Sequence, residues 1–243
     1  MNTSINHRPD NGLLSSLREA DFDLLRPHLT RETFNDDDVL YRPGDDVTRV
    51  YFPLGSSLVS YAVANVDGKN VQTVLVGREG GVGGMVSAGG LPAYCLIAVK
   101  YGGPFLKADV SRIQAAKDQS ATFRRLFERY ADCLLAQMFQ ATACNAIHSI
   151  EQRAAKWILE EVNRTGEQVV HMSHDDLASM LGVGRSYTTR VLRKFVGDGV
   201  LKTARGFVIV TDKGALVQRS CTCNESVFNH FGRVLGAIYP EPI

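Results

Sequence analysis

The sequence predicts an α+β chain: an N-terminal β-roll or jelly-roll sensor domain over residues 1–120, a long dimerisation helix over 121–148 and a C-terminal winged helix-turn-helix over 149–243. Three observations predict it. Between about residues 33 and 107, short β-rich runs alternate with glycine and acidic turns. Over residues 121–150 a helical pattern runs unbroken, with apolar residues returning every seven positions. Over residues 173–194 two short helix patterns meet at Gly182, and a hairpin with a basic tip follows.

In chain order, residues 13–29 read as a short helical segment, and residues 38–41, 49–52, 57–63, 71–76 and 95–100 as strands. Pro43-Gly44-Asp45-Asp46 and Val66-Asp67-Gly68-Lys69 are turns, the second a hairpin signal, because glycine accepts the positive φ such turns require. Gly80, Gly81, Gly83, Gly84, Gly89 and Gly90 could cradle an anion, but turns of a β-roll are the simpler explanation.

Along the long helix Phe123, Tyr130, Gln137 and Cys144 repeat every seven residues, as do Phe127, Leu134, Ala141 and His148. A buried core helix gives a similar stripe. Here, however, the helix stands before a module whose action gains from two-fold symmetry, so the pattern predicts a parallel dimer. Phe123, Phe127, Tyr130, Leu134, Gln137 and Ala141 form the expected seam, in which the polar positions set the register. His148 reads as a packed or solvent-touching side chain rather than a ligand. Ser149 with Gln152 three residues on makes a capping box, which places a hinge at residues 148–149.

Ser173 stands where an N-cap should, and Asp175 and Asp176 put negative charge at the positive end of the next helix dipole. Leu177, Ala178 and Leu181 form its apolar stripe, and Gly182 supplies the turn. Gly184 then opens a second helix with Val191, Leu192 and Phe195 inside and Arg185, Ser186, Thr189, Arg190, Arg193 and Lys194 outside. Residues 200–203 and 207–210 pair as strands around Ala204-Arg205-Gly206, a wing. Over residues 184–206 six lysines and arginines face only Asp198, a local charge of +5, whereas the whole chain carries +1. Such clustering is expected of a surface that neutralises phosphates. The expected DNA-contacting set is Ser173, Arg185, Ser186, Tyr187, Thr189, Arg190, Arg193, Lys194 and Arg205. An ordinary helical hairpin with a solvated charged face is the alternative, and the adjoining basic wing argues against it.

With 243 residues, 44% of them hydrophobic, the chain can bury a sizeable core in two domains. Its first ten residues lack the apolar stretch of a signal peptide, and no run approaches the roughly 18 apolar residues that span a bilayer. A cytoplasmic protein with no membrane partner is expected. Cys95, Cys133, Cys144, Cys221 and Cys223 are odd in number and lack the paired spacing of a zinc site. Cys221 and Cys223 hint at redox or metal chemistry, but two neighbouring thiols cannot complete a tetrahedral site alone, so no structural metal is expected. A jelly-roll metalloenzyme would need histidines inside the barrel, and residues 33–107 contain none. Nor does any catalytic triad or carboxylate pair stand at recognisable spacing, so no enzyme is expected.

The order of β-roll, long helix and winged helix-turn-helix resembles the Crp/Fnr family of bacterial transcription regulators across nearly the whole chain. Pro43-Gly44-Asp45 with Val50-Tyr51-Phe52-Pro53-Leu54-Gly55-Ser56 is similar to the family's β-roll turn and strand, and residues 176–192 to its reading unit. The resemblance implies a homodimer that binds a palindromic operator in double-stranded DNA and contacts RNA polymerase. It implies DNA contacts at Arg185 and Arg190. Between them Ser186 replaces a common glutamate and Tyr187 a common threonine, so the usual target sequence does not carry over. Cyclic-nucleotide-binding members carry Gly-Glu-Leu followed by Arg-Ser, where this chain has Val82-Gly83-Gly84-Met85 and Pro92-Ala93-Tyr94-Cys95. Their adenine-receiving hydroxyl pair is replaced by Met138 and Phe139. Without an arginine the phosphate charge would be buried unpaired, which argues against cyclic AMP. An Fnr-type iron–sulfur cluster needs N-terminal cysteines that the sequence lacks. Two readings stay open: a regulator modulated by an unidentified signal at the β-roll or long helix, and a constitutive one whose β-roll serves dimerisation or polymerase contact.

Overall fold

The computed structural model describes residues 7–64, 70–84 and 91–236; the expected hairpin turn at Val66-Asp67-Gly68-Lys69, and Met85, Gly89 and Gly90, lie outside the described residues. The segment expected as one helix is two, α1 (Gly12–Ser15) and α2 (Glu19–Leu25), followed by a 3₁₀ turn at Arg26–His28 that contains Pro27. Asn11 caps α1 by accepting from the Leu14 N–H, and its amide donates to the carbonyls of Pro53 and Gly80.

Among the described residues eight strands build the roll: β1 (Thr30–Phe34), β2 (Val39–Tyr41), β3 (Arg49–Pro53), β4 (Leu58–Ala64), β5 (Asn70–Val76), β6 (Val82–Gly83), β7 (Leu96–Tyr101) and β8 (Gly103–Asp109). They form two four-stranded antiparallel sheets, ordered β1-β8-β3-β6 and β2-β7-β4-β5. All five expected strands are present. Along β7 the residues alternate between half-buried and buried, the period-two signature of a strand with one face in the core.

Two glycines hold the roll by close approach rather than by open turns. A Cβ on Gly83, at φ 105°, would stand 2.2 Å from the Arg49 carbonyl oxygen. One on Gly80 would stand 2.1 Å from the Tyr130 hydroxyl. Gly83→Ala should therefore cost at least about 2 kcal/mol, from left-handed strain plus a clash with the β3 backbone. Urea unfolding measures this, and a shift under about 0.5 kcal/mol would contradict the packing.

Helix α3 (Val110–Gln119) ends where Ser120 turns extended, and the Ser120 hydroxyl accepts from Phe123 N–H to cap α4 (Ala121–Ile147). Phe123, Phe127 and Tyr130 are fully buried within the one chain, packed with Leu13, Leu14, Phe22 and Phe52. Most of the expected dimer seam is packed within the single chain. Phe123, Phe127, Tyr130 and Gln137 are core residues, Leu134 is half-buried between two cores, and Ala141 is half-buried. The face of α4 that stays open instead carries Leu135, Met138, Phe139 and Ile147, exposed by 44%, 43%, 70% and 73%.

After the extended His148, α5 (Ile150–Thr165) begins on the expected capping box of Ser149 and Gln152 and ends at Gly166, φ 78°. Then come β9 (Val169–His171), α6 (His174–Leu181), α7 (Arg185–Gly197), β10 (Leu201–Ala204), β11 (Phe207–Val210), α8 (Lys213–Arg219) and α9 (Cys223–Gly236). Helix α9 returns to lie along α4, with Phe231 edge-on to Tyr130 and the Val234 carbonyl accepting from Arg129. Leu58, Leu75 and Tyr101 of the roll share a single core with Trp157, Ile158, Leu177 and Leu192. Among the described residues no helix is long and apolar enough to cross a membrane.

Candidate nucleic-acid interface

The helix-turn-helix forms where expected, for the expected local reasons. The Ser173 hydroxyl accepts from the Asp176 N–H at 3.1 Å, and the Asp176 carboxylate accepts from the Ser173 N–H at 2.8 Å. Both polar groups of Ser173 are therefore engaged in capping α6. Leu177, Ala178 and Leu181 are buried, and Gly182 adopts φ 66° to end the helix. Gly184, in extended conformation, starts α7, which buries Thr188, Val191, Leu192 and Phe195.

Arg185, Ser186, Tyr187, Arg190, Arg193 and Lys194 are all exposed on α7. Thr189 differs from them: it is half-buried, its hydroxyl 2.9 Å from His174 Nδ1, where it ties the two helices together. The guanidinium of Arg190 lies over the Tyr187 ring, 5.2 Å from its centroid, which holds both side chains toward solvent. Arg185 pairs with Asp175 at 3.1 Å and Lys194 with Glu151 at 2.7 Å. Such exposed pairs are worth at most about 1 kcal/mol and can yield to phosphate. Gly206, at φ 81°, closes the β10–β11 wing and leaves Arg205 exposed at its tip. The wing has a third strand that the sequence reading missed: β9 pairs with β11, and its only signal was the Val169-Val170 pair after the Gly166 cap.

The reading module docks on the roll through buried polar contacts. Lys100 reaches Glu161 at 2.9 Å, and Tyr101 donates to the same carboxylate at 2.8 Å while accepting from His171 N–H. Arg164 pairs with Glu79 of the roll and with Glu160. Burial pushes the Glu161 carboxyl up from the usual carboxylate range, and Lys100 draws it back. A cleft of about 460 Å³ lies beside this junction, lined by Asp36, Ser60, Gln72, Lys100, His171 and Ser173.

In the roll, Tyr130 donates to the Gly81 carbonyl and accepts from its N–H, so Gly80 and Gly81 pack against a buried phenol instead of facing a ligand. The cysteines meet partners that their local spacing does not reveal. Cys144 and His148, one turn apart at the end of α4, meet Cys221 and Cys223, and their four ligand atoms lie within 4.8 Å of one another. The partners that Cys221 and Cys223 lack locally come from far upstream, a distance that local spacing does not register.

Among the described residues a roll of eight strands is joined by a long helix to a winged helix-turn-helix. Residues 152–219 match the family model of a Crp-like helix-turn-helix domain, and the chain has the fold of solved Crp/Fnr regulators. FixK2 from Bradyrhizobium japonicum superposes with a TM-score of 0.66 at 15% identity, covering 79% of this chain and 98% of that one. The c-di-GMP-responsive global regulator CLP of Xanthomonas campestris gives 0.65 at 16% identity over 80% and 100%. A transcriptional regulator of the crp/fnr family from Eubacterium rectale gives 0.64 at 18% over 85% and 96%. No curated protein matches the chain in sequence.

Proposed function

We propose that this protein is a homodimeric transcription regulator of the cytoplasm that reads a palindromic operator in double-stranded DNA with α7 and grips the flanking phosphates with its wing. The observation that carries the reading is the face of α7, where Arg185, Ser186, Tyr187, Arg190 and Arg193 are exposed to solvent in the segment that matches a Crp-like domain, beside the basic tip at Arg205. An arginine on such a helix can donate two bonds to guanine O6 and N7. The dimer forms through the open apolar face of α4, because the other face is filled by its own chain. Contact with RNA polymerase and modulation by a signal at the roll or long helix complete the proposal.

Selection from a random DNA pool tests it. The expected product is a palindrome with half-sites about one helical turn apart; a single asymmetric half-site bound by a monomer would overturn it. On the selected site Arg190→Ala should cost about 1–3 kcal/mol and relax preference at one base pair. Arg205→Ala should weaken all DNA alike and lower the salt slope by about one unit. Equal loss on specific and random DNA for Arg190→Ala would make that residue a phosphate clamp only.

A further inference from the structure

Beyond DNA binding, we propose that Cys144, His148, Cys221 and Cys223 form a tetrahedral site for one zinc ion, which staples α9 to the end of α4. The Cys144 and Cys221 sulfurs are 3.6 Å apart, and the Cys223 sulfur is 3.6 Å from His148 Nδ1. Zinc–sulfur bonds of about 2.3 Å and zinc–nitrogen bonds of about 2.0–2.1 Å in tetrahedral array set those edges near about 3.8 Å and about 3.6 Å. Those two edges match a tetrahedral ion, and all four ligand atoms lie within 4.8 Å of one another, close enough for one ion to gather them. The same compactness argues against an iron–sulfur cluster, whose several irons hold their ligands farther apart.

The surroundings suit a metal rather than apolar packing. The three thiols form a small buried cluster of their own, at 1%, 9% and 3% exposure, apart from the hydrophobic cores. The Gln140 amide donates to the Cys223 sulfur at 3.2 Å. An outer donor of this kind orients a metal ligand. Zinc with three thiolates and a neutral imidazole carries one net negative charge, and the Lys156 ammonium stands close to Cys144 to offset it. On binding, each thiol releases its proton to solvent. Thiolate and imidazole select zinc-class ions over magnesium or calcium, and four protein ligands leave no open position, so the site is structural. Its ligand His148 is the extended residue from which α5 and the reading module depart.

The test uses the full chain, purified reduced and without chelator, and does not depend on DNA binding. One zinc per chain is expected. Cobalt substitution should give the intense visible bands of a tetrahedral ion and a thiolate charge-transfer band, both lost on adding zinc. Cys221→Ser and His148→Ala should each lower metal affinity by about tenfold or more, and zinc should raise the melting temperature of the parent chain but not of these variants. A parent chain that takes up no metal, a pale octahedral cobalt spectrum, uptake unchanged in both variants, or a Cys144–Cys221 disulfide persisting in reductant would each overturn the site.

Discussion

A chain carrying both Leu135→Glu and Met138→Glu is expected to be a folded monomer whose operator affinity falls by about 10²–10⁴-fold, the loss that follows when two linked contacts become one. Both side chains are more than two-fifths exposed on the open face of α4, so glutamate there costs the single chain little. In a dimer the same substitutions bring four carboxylates together at low dielectric, where repulsion and desolvation add. Leu134→Glu would be a poor substitute. That side chain packs between two cores of its own subunit, so its replacement would unfold the chain and report nothing on assembly. Light scattering and DNA titration read the two effects separately, and an intact dimer of the double variant would reject this face.

The second large effect is on stability. Lys100→Met should destabilise the protein by about 3–5 kcal/mol, because it leaves the Glu161 carboxylate, 0% exposed, without its cation. Tyr101 still donates one hydrogen bond, but a neutral hydroxyl cannot compensate a buried charge. Adding Glu161→Gln should restore most of the loss by removing that charge. Urea unfolding of the single and double variants decides the matter; a single variant within about 1 kcal/mol of the parent would show that water reaches the carboxylate.

The reading module was legible in the sequence because its signals are local. An N-cap, a glycine at positive φ and a three-to-four-residue apolar stripe each act within a few positions, and Ser173, Gly182 and Leu177 stand as expected. Strands β2 to β5 and β7 were legible for the same reason. The missed strands are explicable: β1 reads Thr-Arg-Glu-Thr-Phe with neither face fully buried, and β8 opens on Gly-Pro. The long helix misled in a different way. A seven-residue repeat records which face is apolar and says nothing of what covers it. Here α1, α2 and the returning α9 cover Phe123, Phe127 and Tyr130. Cys144 and Cys221 are 77 residues apart in sequence, and only the return of α9 unites them.

The docking of the reading module on the roll gives any signal a threshold to cross. Leu58, Leu75 and Tyr101 share a core with that module, and Glu161 and Arg164 lose their partners in the roll if the two separate. The docked form is therefore a deep well rather than one of many loose poses. A ligand that prefers the separated form can populate it only by as much as its two affinities differ, and one that binds both forms alike changes nothing however tightly it holds. Each substitution that weakens the junction lowers that threshold, so a Lys100 variant mild enough to stay folded should respond to less signal than the parent, or to none at all.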